Sequence, residues 1–370
     1  VGEKALTAIS LVYPLQTLVT SISVGFGVGI SAAVAFFLGM GEHKKADQSA
    51  SEGLFLSIVH GVLMSVLLTA ILPSFLRLFT TDEEIYQMGI TYGTWVLSFS
   101  LVISVYIAYE KIYQSLGNMI VPTLCLAAGC LTNIVLDPIL IFGIGPIPRM
   151  EVKGAAIATV IGQIVPLVMY LVWHRKKGLG VSIHIKDMKP DPAICGRLYA
   201  VGIPSSLTLG MPSLLITLLN KIAGAFSSVY VLVLGVYFKL QTFLYLPASG
   251  IVQGMRPILS FNYGAGEKKR MKQILSVCTG LIFGMFSKDG VTIREGAAAL
   301  RIISLGFVVS GISVVASGAL EALGEGIPSF IISLLRYLVL IVPVASIGSR
   351  IFGITGCLLY TSDAADDLIG

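Results

Sequence analysis

Residues 131–140 read Leu131-Thr132-Asn133-Ile134-Val135-Leu136-Asp137-Pro138-Ile139-Leu140. They lie in an apolar run over 121–144 that is interrupted by one carboxylate, Asp137. A helix here puts Asn133 and Asp137 one turn apart on one face. Pro138 removes a backbone donor beside the acid and frees a carbonyl nearby. Two readings stay open on this stretch alone. At the centre of a membrane helix an ionisable side chain costs about 2.5–3.5 kcal/mol on insertion scales, so it marks a functional site by default. Alternatively Asp137 is only the end of its helix, because Asp-Pro is a common boundary pair.

Working outward, the whole chain is of the same character. Its 370 residues are 55% hydrophobic and 12% charged, with mean hydropathy +0.89. Soluble domains carry about 25% charge, so the composition predicts an all-α polytopic membrane protein. A spanning helix needs about 20 apolar residues. Runs of that kind cover 11–38, 54–76, 90–108, 121–144, 155–173, 198–219, 229–259, 302–320 and 327–347, with a shorter run at 274–286. The expectation is therefore nine full spans and one short helix. None reads as a cleaved leader, because apolar runs recur along the whole length. The stretch 176–192 is Lys-rich, contains Pro190, and reads as a linker between an N-terminal lobe, 1–175, and a C-terminal lobe, 193–356.

Charge placement orients the bundle. Lys44-Lys45, Lys111, Arg175-Lys176-Lys177 with Lys186 and Lys189, and Lys268-Lys269-Arg270 with Lys272 fall on alternate connections. The other connections carry Asp82-Glu83-Glu84, Arg149-Met150-Glu151, or nothing charged over 223–228. The basic side is cytoplasmic, which puts the first residue outside.

Several chemistries are not signalled. Cys125, Cys130, Cys195, Cys278 and Cys357 form no CxxC pair, and His43, His60, His174 and His184 are scattered. Neither set reads as a metal site or a disulfide framework. There is no Gly-x-x-x-x-Gly-Lys-Ser/Thr loop for an ATP-driven pump, and no Gly-x-Ser-x-Gly or His-Glu-x-x-His for a membrane hydrolase. The reading is not an enzyme, with no cofactor and no nucleic-acid partner.

An internal repeat sets the architecture. Leu15-Gln16-Thr17 recurs as Leu240-Gln241-Thr242, Gly25 and Gly29 as Gly250 and Gly254, and Gly39, Gly41 and Glu42 as Gly264, Gly266 and Glu267, all at an offset of 225. Phe79 with Asp82 matches Phe286 with Asp289, and Leu116-Gly117 matches Leu323-Gly324, at an offset of 207. Each half presents its basic connection on the same side, so the repeats are parallel. The Gly-x-x-x-Gly pairs permit close helix approach. The offset falls by 225 − 207 = 18 residues, close to one span. The short run 274–286 is 13 residues, roughly 20 Å of helix against a core of about 30 Å. It is expected to be a stub or a distorted helix. Residues 357–370 turn polar and acidic, and Leu359-Tyr360-Thr361-Ser362-Asp363-Ala364-Ala365-Asp366-Asp367 looks like translated adapter, so this tail is expected to be non-native.

Several motifs carry a family resemblance. They are Gly27-Val28-Gly29, Gly39-Met40-Gly41-Glu42 followed by Ala46, Leu78-Phe79-x-x-Asp82, Gly117-Asn118, Asn133-x-x-x-Asp137-Pro138, Gly154-Ala155-Ala156-Ile157-Ala158-Thr159, Phe261-Asn262-Tyr263-Gly264-Ala265-Gly266, and Leu323-Gly324 before Pro328. Over nearly its whole length the chain resembles the multidrug and toxic compound extrusion (MATE) family. That resemblance implies two six-helix lobes, of which this chain lacks the first helix, most of the ninth and the twelfth. It implies efflux of small amphipathic, cationic compounds across a bacterial cytoplasmic membrane by a monomer, coupled to H⁺ or Na⁺ through alternating access. It places the coupling ion in the N-terminal lobe at Asp137, Asn133 and Thr159, beside a first-helix aspartate that is absent. A carboxylate, an amide oxygen and a hydroxyl are hard ligands suited to either ion. Thr159 also has a plainer role, bonding its own helix backbone.

Other residues are weighed the same way. Lys239 lies inside the run 229–259 and either faces the cavity, pairs with an acid or snorkels. With Gln241, Met211 and Tyr245 it is a weak candidate for the substrate cavity. Tyr13, Phe26 and Phe243 could line a pliable cavity; packing or lipid contact is the plainer role for each. Arg256 and Arg336 are expected to anchor at headgroups. Glu110 and Glu321 are expected to face a cytoplasmic vestibule. The alternatives are a lipid-linked oligosaccharide flippase of a related fold, whose cavity would be strongly cationic, or an inactive fragment.

Overall fold

The first helix, α1 (Glu3–Gly39), is 37 residues long. The chain then turns at Gly41, whose φ is +76°. Glu42 N–H donates to the Phe37 carbonyl at 2.9 Å and Gly41 N–H to the Leu38 carbonyl at 3.0 Å, which satisfies two of the last carbonyls. Glycine adopts that backbone without steric cost. A later helix, Ser228–Gly264, is also 37 residues long, and each end is displaced from α1 by 225. Gly266 follows with φ +72°, and Glu267 N–H donates to the Asn262 carbonyl at 2.9 Å. The second repeated turn behaves likewise. Gly117 and Gly324 have φ +75° and +85°, and Asn118 and Glu325 donate back to Tyr113 and Leu320 at 3.1 and 2.8 Å. The sequence repeat is thus a repeat of backbone.

The computed structural model describes residues 2–144, 147–178, 180–224, 228–286 and 315–335, and the side chains of 177, 213–245, 280 and 282–286 are not among those described. Within it α1 is followed by α2 (His43–Arg77), α3 (Glu83–Ser98), α4 (Ser100–Ser115), α5 (Ile120–Phe142), α6 (Glu151–Lys177), a 3₁₀ turn at Ile185–Asp187, α7 (Pro192–Gly224), α8 (Ser228–Gly264), α9 (Lys268–Phe286), α10 (residues 315–322) and α11 (Gly326–Leu334). There is no strand among the described residues. Helices α1, α2, α5 and α6 are each long and apolar enough to span a membrane, and α3 with α4 makes a fifth, bent span. The expectations at Arg336 and at 357–370 lie outside the described residues.

Three expectations about helices change. The run 90–108 is not one helix: α3 and α4 meet at a 41° bend. Ser98-Phe99-Ser100 supplies the cause. Ser100 Oγ donates to the Leu97 carbonyl at 2.6 Å, and Leu101 N–H donates across to Ser65 Oγ at 3.2 Å rather than back along its own helix. The helix-end reading of Asp137 also fails, because α5 runs through Pro138 to Phe142 and stops at Gly143, φ +74°. Third, α9 is one continuous helix of 19 residues. The basic segment from Lys268 is helical and extends the helix ahead of the apolar run 274–286, which itself stays 13 residues long.

The chain divides into two compact units, one from Val1 to Ser206 and the other from Leu207 onward. In the first, one core gathers Phe26, Ile30, Tyr109, Ile112, Tyr170 and Leu198. A second gathers Val12, Val19, Leu72, Leu76, Val96 and Leu97. Val62, Leu63, Val66, Leu67 and Ile71 of α2 stay exposed, as expected of a lipid-facing stripe. Between such helices close packing, not exclusion of water, supplies the attraction.

Two charges differ from expectation in this unit. Lys111 is not in a connection but inside α4, 3% exposed. Its ammonium meets Glu110 at 3.0 Å and Gln114 at 2.9 Å, so Glu110 is held inside this group. Phe26 is a core residue, not a cavity wall. In the second unit α8, α9 and α10 share a core of Ala248, Val252, Met255, Leu259, Val315 and Ala319. There Arg256 pairs with Glu321 at 2.6 Å, and Glu321 is 2% exposed. Arg256 is therefore not a headgroup anchor and Glu321 does not face an open vestibule. The arginine's charge is neutralised inside the unit instead.

Candidate functional site

Asp137 and Asn133 sit one turn apart on α5, as the spacing predicts. Asp137 Oδ1 and Asn133 Nδ2 are both buried, and neither has a hydrogen-bond partner among the described residues. Buried polar atoms are paired in the great majority of cases, so two open ones a turn apart need an explanation. The partner helix is α6. It approaches α5 closely because both contribute glycine at the crossing. A Cβ on Gly129 would stand 2.5 Å from the Gly162 carbonyl, and one on Gly162 would stand 3.0 Å from Asn133 Cβ.

Thr159 lies on the same α6 face, one turn before Gly162 and Gln163. Its hydroxyl donates to the Ala155 carbonyl at 2.9 Å, the plainer role allowed for it above. The Tyr92 hydroxyl lies close to Thr159 and to the Asp137 carboxylate. Gln16 of α1 reaches the same hydroxyl at 3.4 Å. Tyr92, 6% exposed on α3, is thus the shared neighbour of Asp137, Thr159 and Gln16.

Tyr92 carries no signal in the sequence. Gln16 stands there as a repeat marker, although an amide inside a span is itself a signal. Both are positioned by ties at the outer ends of their helices. Lys4 pairs with Asp82 at 3.0 Å and Glu84 at 2.6 Å, which joins the start of α1 to the start of α3. Asp82 also caps α3, accepting from Glu84 N–H at 2.9 Å. The Lys4 ammonium beside it holds the Asp82 carboxyl below its usual range. Beyond Asp137, Ile141 lines an open recess of about 320 Å³ that also touches Lys4, Glu84 and Arg149.

No group of three or more His, Cys, Asp or Glu gathers among the described residues. A cation at Asp137 is left to one carboxylate with amide and hydroxyl oxygens. Of the weak cavity candidates, Met211 is buried on α7; the side chains of Lys239, Gln241 and Tyr245 are outside the description.

Replacing Gly162 by valine tests the α5–α6 crossing. The added methyls meet Asn133 and the Gly129 carbonyl, and overpacking of this kind costs about 1–3 kcal/mol. The expected result is a lower unfolding temperature in detergent together with weaker ion-dependent function. An unchanged unfolding temperature would show that the crossing has slack.

A duplicated all-helical bundle with a half-buried acid on one of its apolar spans is the architecture of a membrane transporter. A sequence model of the MatE family matches residues 1–139, 204–285 and 274–347, and the chain belongs to that family. It is a multi-pass membrane protein and a transporter, not an enzyme. The chain is similar to the multidrug export protein MepA of Staphylococcus aureus, 24% identical over 374 residues that cover 95% of this chain and 81% of that protein. It is also similar to an FAD transporter of Shewanella oneidensis, 26% identical over 379 residues, covering 97% and 83%. Among solved structures, an outward-facing multidrug resistance MATE transporter of the MOP superfamily superposes with TM-score 0.89 at 23% identity, covering 100% of this chain and 87% of that one. A MATE crystal structure in complex with MaD5 gives TM-score 0.90 at 24% identity, with the same coverage.

Proposed function

We propose that this chain exports small amphipathic, cationic compounds by antiport against H⁺ or Na⁺, through alternating access. The observation that carries the coupling is the open carboxylate oxygen of Asp137, buried beside an open Asn133 amide. A carboxylate held there has no fixed counter-charge among its described neighbours, so a proton or a hard cation is the natural occupant. Asn133 and Thr159 are its neighbours on the two packed helices, and Tyr92 links them to α1 through Gln16. Occupation and release then bias the protein between two conformations. The working unit is read as a monomer in a bacterial cytoplasmic membrane, with lobes 1–175 and 193–356 joined by 176–192.

Everted vesicles carrying the full gene product and a fluorescent cationic dye test this. Dye transport should start on imposing a Na⁺ or H⁺ gradient and stop when that gradient is collapsed. Transport indifferent to both gradients would overturn the coupling. The similarity to an FAD transporter supports a second cargo, an anionic flavin dinucleotide. FAD competing with the dye, or moving in its place, would support that reading.

A further inference from the structure

The first half of α7 is strapped along α1 and α2 within the first compact unit. Glycine makes the approach close. A Cβ on Gly29 would strike the Leu198 carbonyl and one on Gly25 the Ser206 backbone, while Gly202 lies against Phe26. The segment leading into α7 is held by side chains of α2. Asp47 Oδ1 accepts from Ser182 N–H at 2.7 Å, Ser51 Oγ from His184 N–H at 3.1 Å, and Glu52 Oε1 from Asp191 N–H at 3.1 Å. Glu52 is fully buried, with the Cys195 thiol 3.6 Å from its other oxygen. These groups lie at the basic-connection end of α2.

Two turns deeper the seam closes on His60. Its Nε2 stands 2.8 Å from the Tyr199 hydroxyl of α7. The ring meets Phe26 of α1 edge-on at 4.7 Å, and Tyr199 also packs on Phe26 at 5.2 Å. The other ring nitrogen, Nδ1, is buried with no hydrogen-bond partner among the described residues. From α7 the facing titratable group is Tyr199, and α1 presents the Phe26 ring. At the adjacent Gly61, α4 presents Leu101 and Ser104, while its own charges, Glu110 and Lys111, pair with each other. From α3, Gly89 and Gly93 pack at Leu76 and Leu72, several turns away. The leading segment brings Asp191 and Cys195 to Glu52, two turns back. No charge of either sign is brought against the ring by these neighbours.

We propose that residues 181–206 form a detachable strap on α1 and α2, and that the His60–Tyr199 pair is its proton-sensitive catch. A neutral ring makes one hydrogen bond with Tyr199 and leaves Nδ1 without a partner beside the Phe26 ring. A second proton turns Nδ1 into a charged donor with no acceptor, and a buried unpaired charge is far more costly than a buried unpaired lone pair. Parting Tyr199 from α2 admits water to the cation and relieves that cost. The close glycine contacts are individually weak attractions, and the Arg197 guanidinium adds a contact 3.6 Å above the Phe36 ring of α1, so opening the seam breaks no covalent bond. The place of this opening in a transport cycle rests on the function proposed above; the strap and its test do not.

Hydrogen exchange on the purified chain in lipid nanodiscs reads the strap directly. The reporters are the amides of Ser182, His184 and Asp191, corrected for intrinsic exchange and compared at about pH 8 and about pH 5.5. In the wild type their exchange should quicken about tenfold or more at the lower pH. His60→Asn and His60→Gln should exchange at one rate at both pH values, with α5 and α6 amides unchanged as a check on folding. Glu52→Gln should quicken exchange at both pH values and keep the pH response. A wild type without a pH response overturns the proposal. So does a His60→Asn protein that keeps the response, or a Glu52→Gln protein that loses it, since the titrating group would then be a carboxylate of the strap's outer end.

Discussion

Asp137→Asn should abolish gradient-driven dye efflux and leave the fold intact. The amide is nearly the same size as the carboxylate, so α5 keeps its packing against α6 at Gly129 and Gly162. The amide loses the ability to take up a proton or neutralise a cation, and with it any coupling through this position. Efflux from everted vesicles should fall to the level seen without a gradient, a loss of at least about tenfold if the acid is the coupling group. Equal far-UV circular dichroism and equal membrane yield would show that the protein still folds. Asn133→Ala and Thr159→Ala should weaken efflux less, because each removes one neutral ligand. Undiminished gradient-driven efflux in Asp137→Asn would leave the acid as a half-buried residue without a part in transport.

The second large effect is on stability. Arg256→Ala leaves Glu321 in the core of the second unit, 2% exposed, with the Ser329 hydroxyl donating to it at 3.2 Å. Removing one partner of a buried ion pair costs about 3–5 kcal/mol, because the other charge stays behind. The variant should unfold several degrees lower in detergent. Arg256→Met with Glu321→Leu should recover most of the loss, since an apolar pair of similar volume carries no stranded charge. If Arg256→Ala unfolds at the wild-type temperature, the pair contributes nothing and water reaches Glu321 freely.

Much of the fold was legible before any coordinates, for reasons that particular residues make plain. Gly41, Gly117, Gly266 and Gly324 mark turns because each needs positive φ, and a turn's demand on the backbone is local. The Asn133–Asp137 pair was legible because helical spacing alone places both on one face. What the sequence concealed depends on partners far along the chain. The break at Phe99 needs the Ser65 hydroxyl from α2. Arg256 reads as an interfacial anchor until Glu321, 65 residues on, is seen against it. Lys111 reads as a connection charge, because a single lysine near a helix end looks the same whether it faces water or its neighbours. Tyr92 carries no signal by itself; it becomes part of the site through Thr159 and Gln16, which come from two other helices.

The two glycine turns recur at corresponding places, but the positions beside them do not. Ser31 of α1 corresponds to Arg256, and Gln114 of α4 corresponds to Glu321, at the same offsets of 225 and 207. After a duplication, then, the bends were inherited while the interiors drifted apart. A bend secured by a residue with no side chain makes no demand on what is buried next to it. Each copy could acquire its own internal charge pair, Lys111 with Glu110 in one and Arg256 with Glu321 in the other, without rerouting the chain. Ancestral symmetry of path is compatible with interiors that differ in charge from one half to the other.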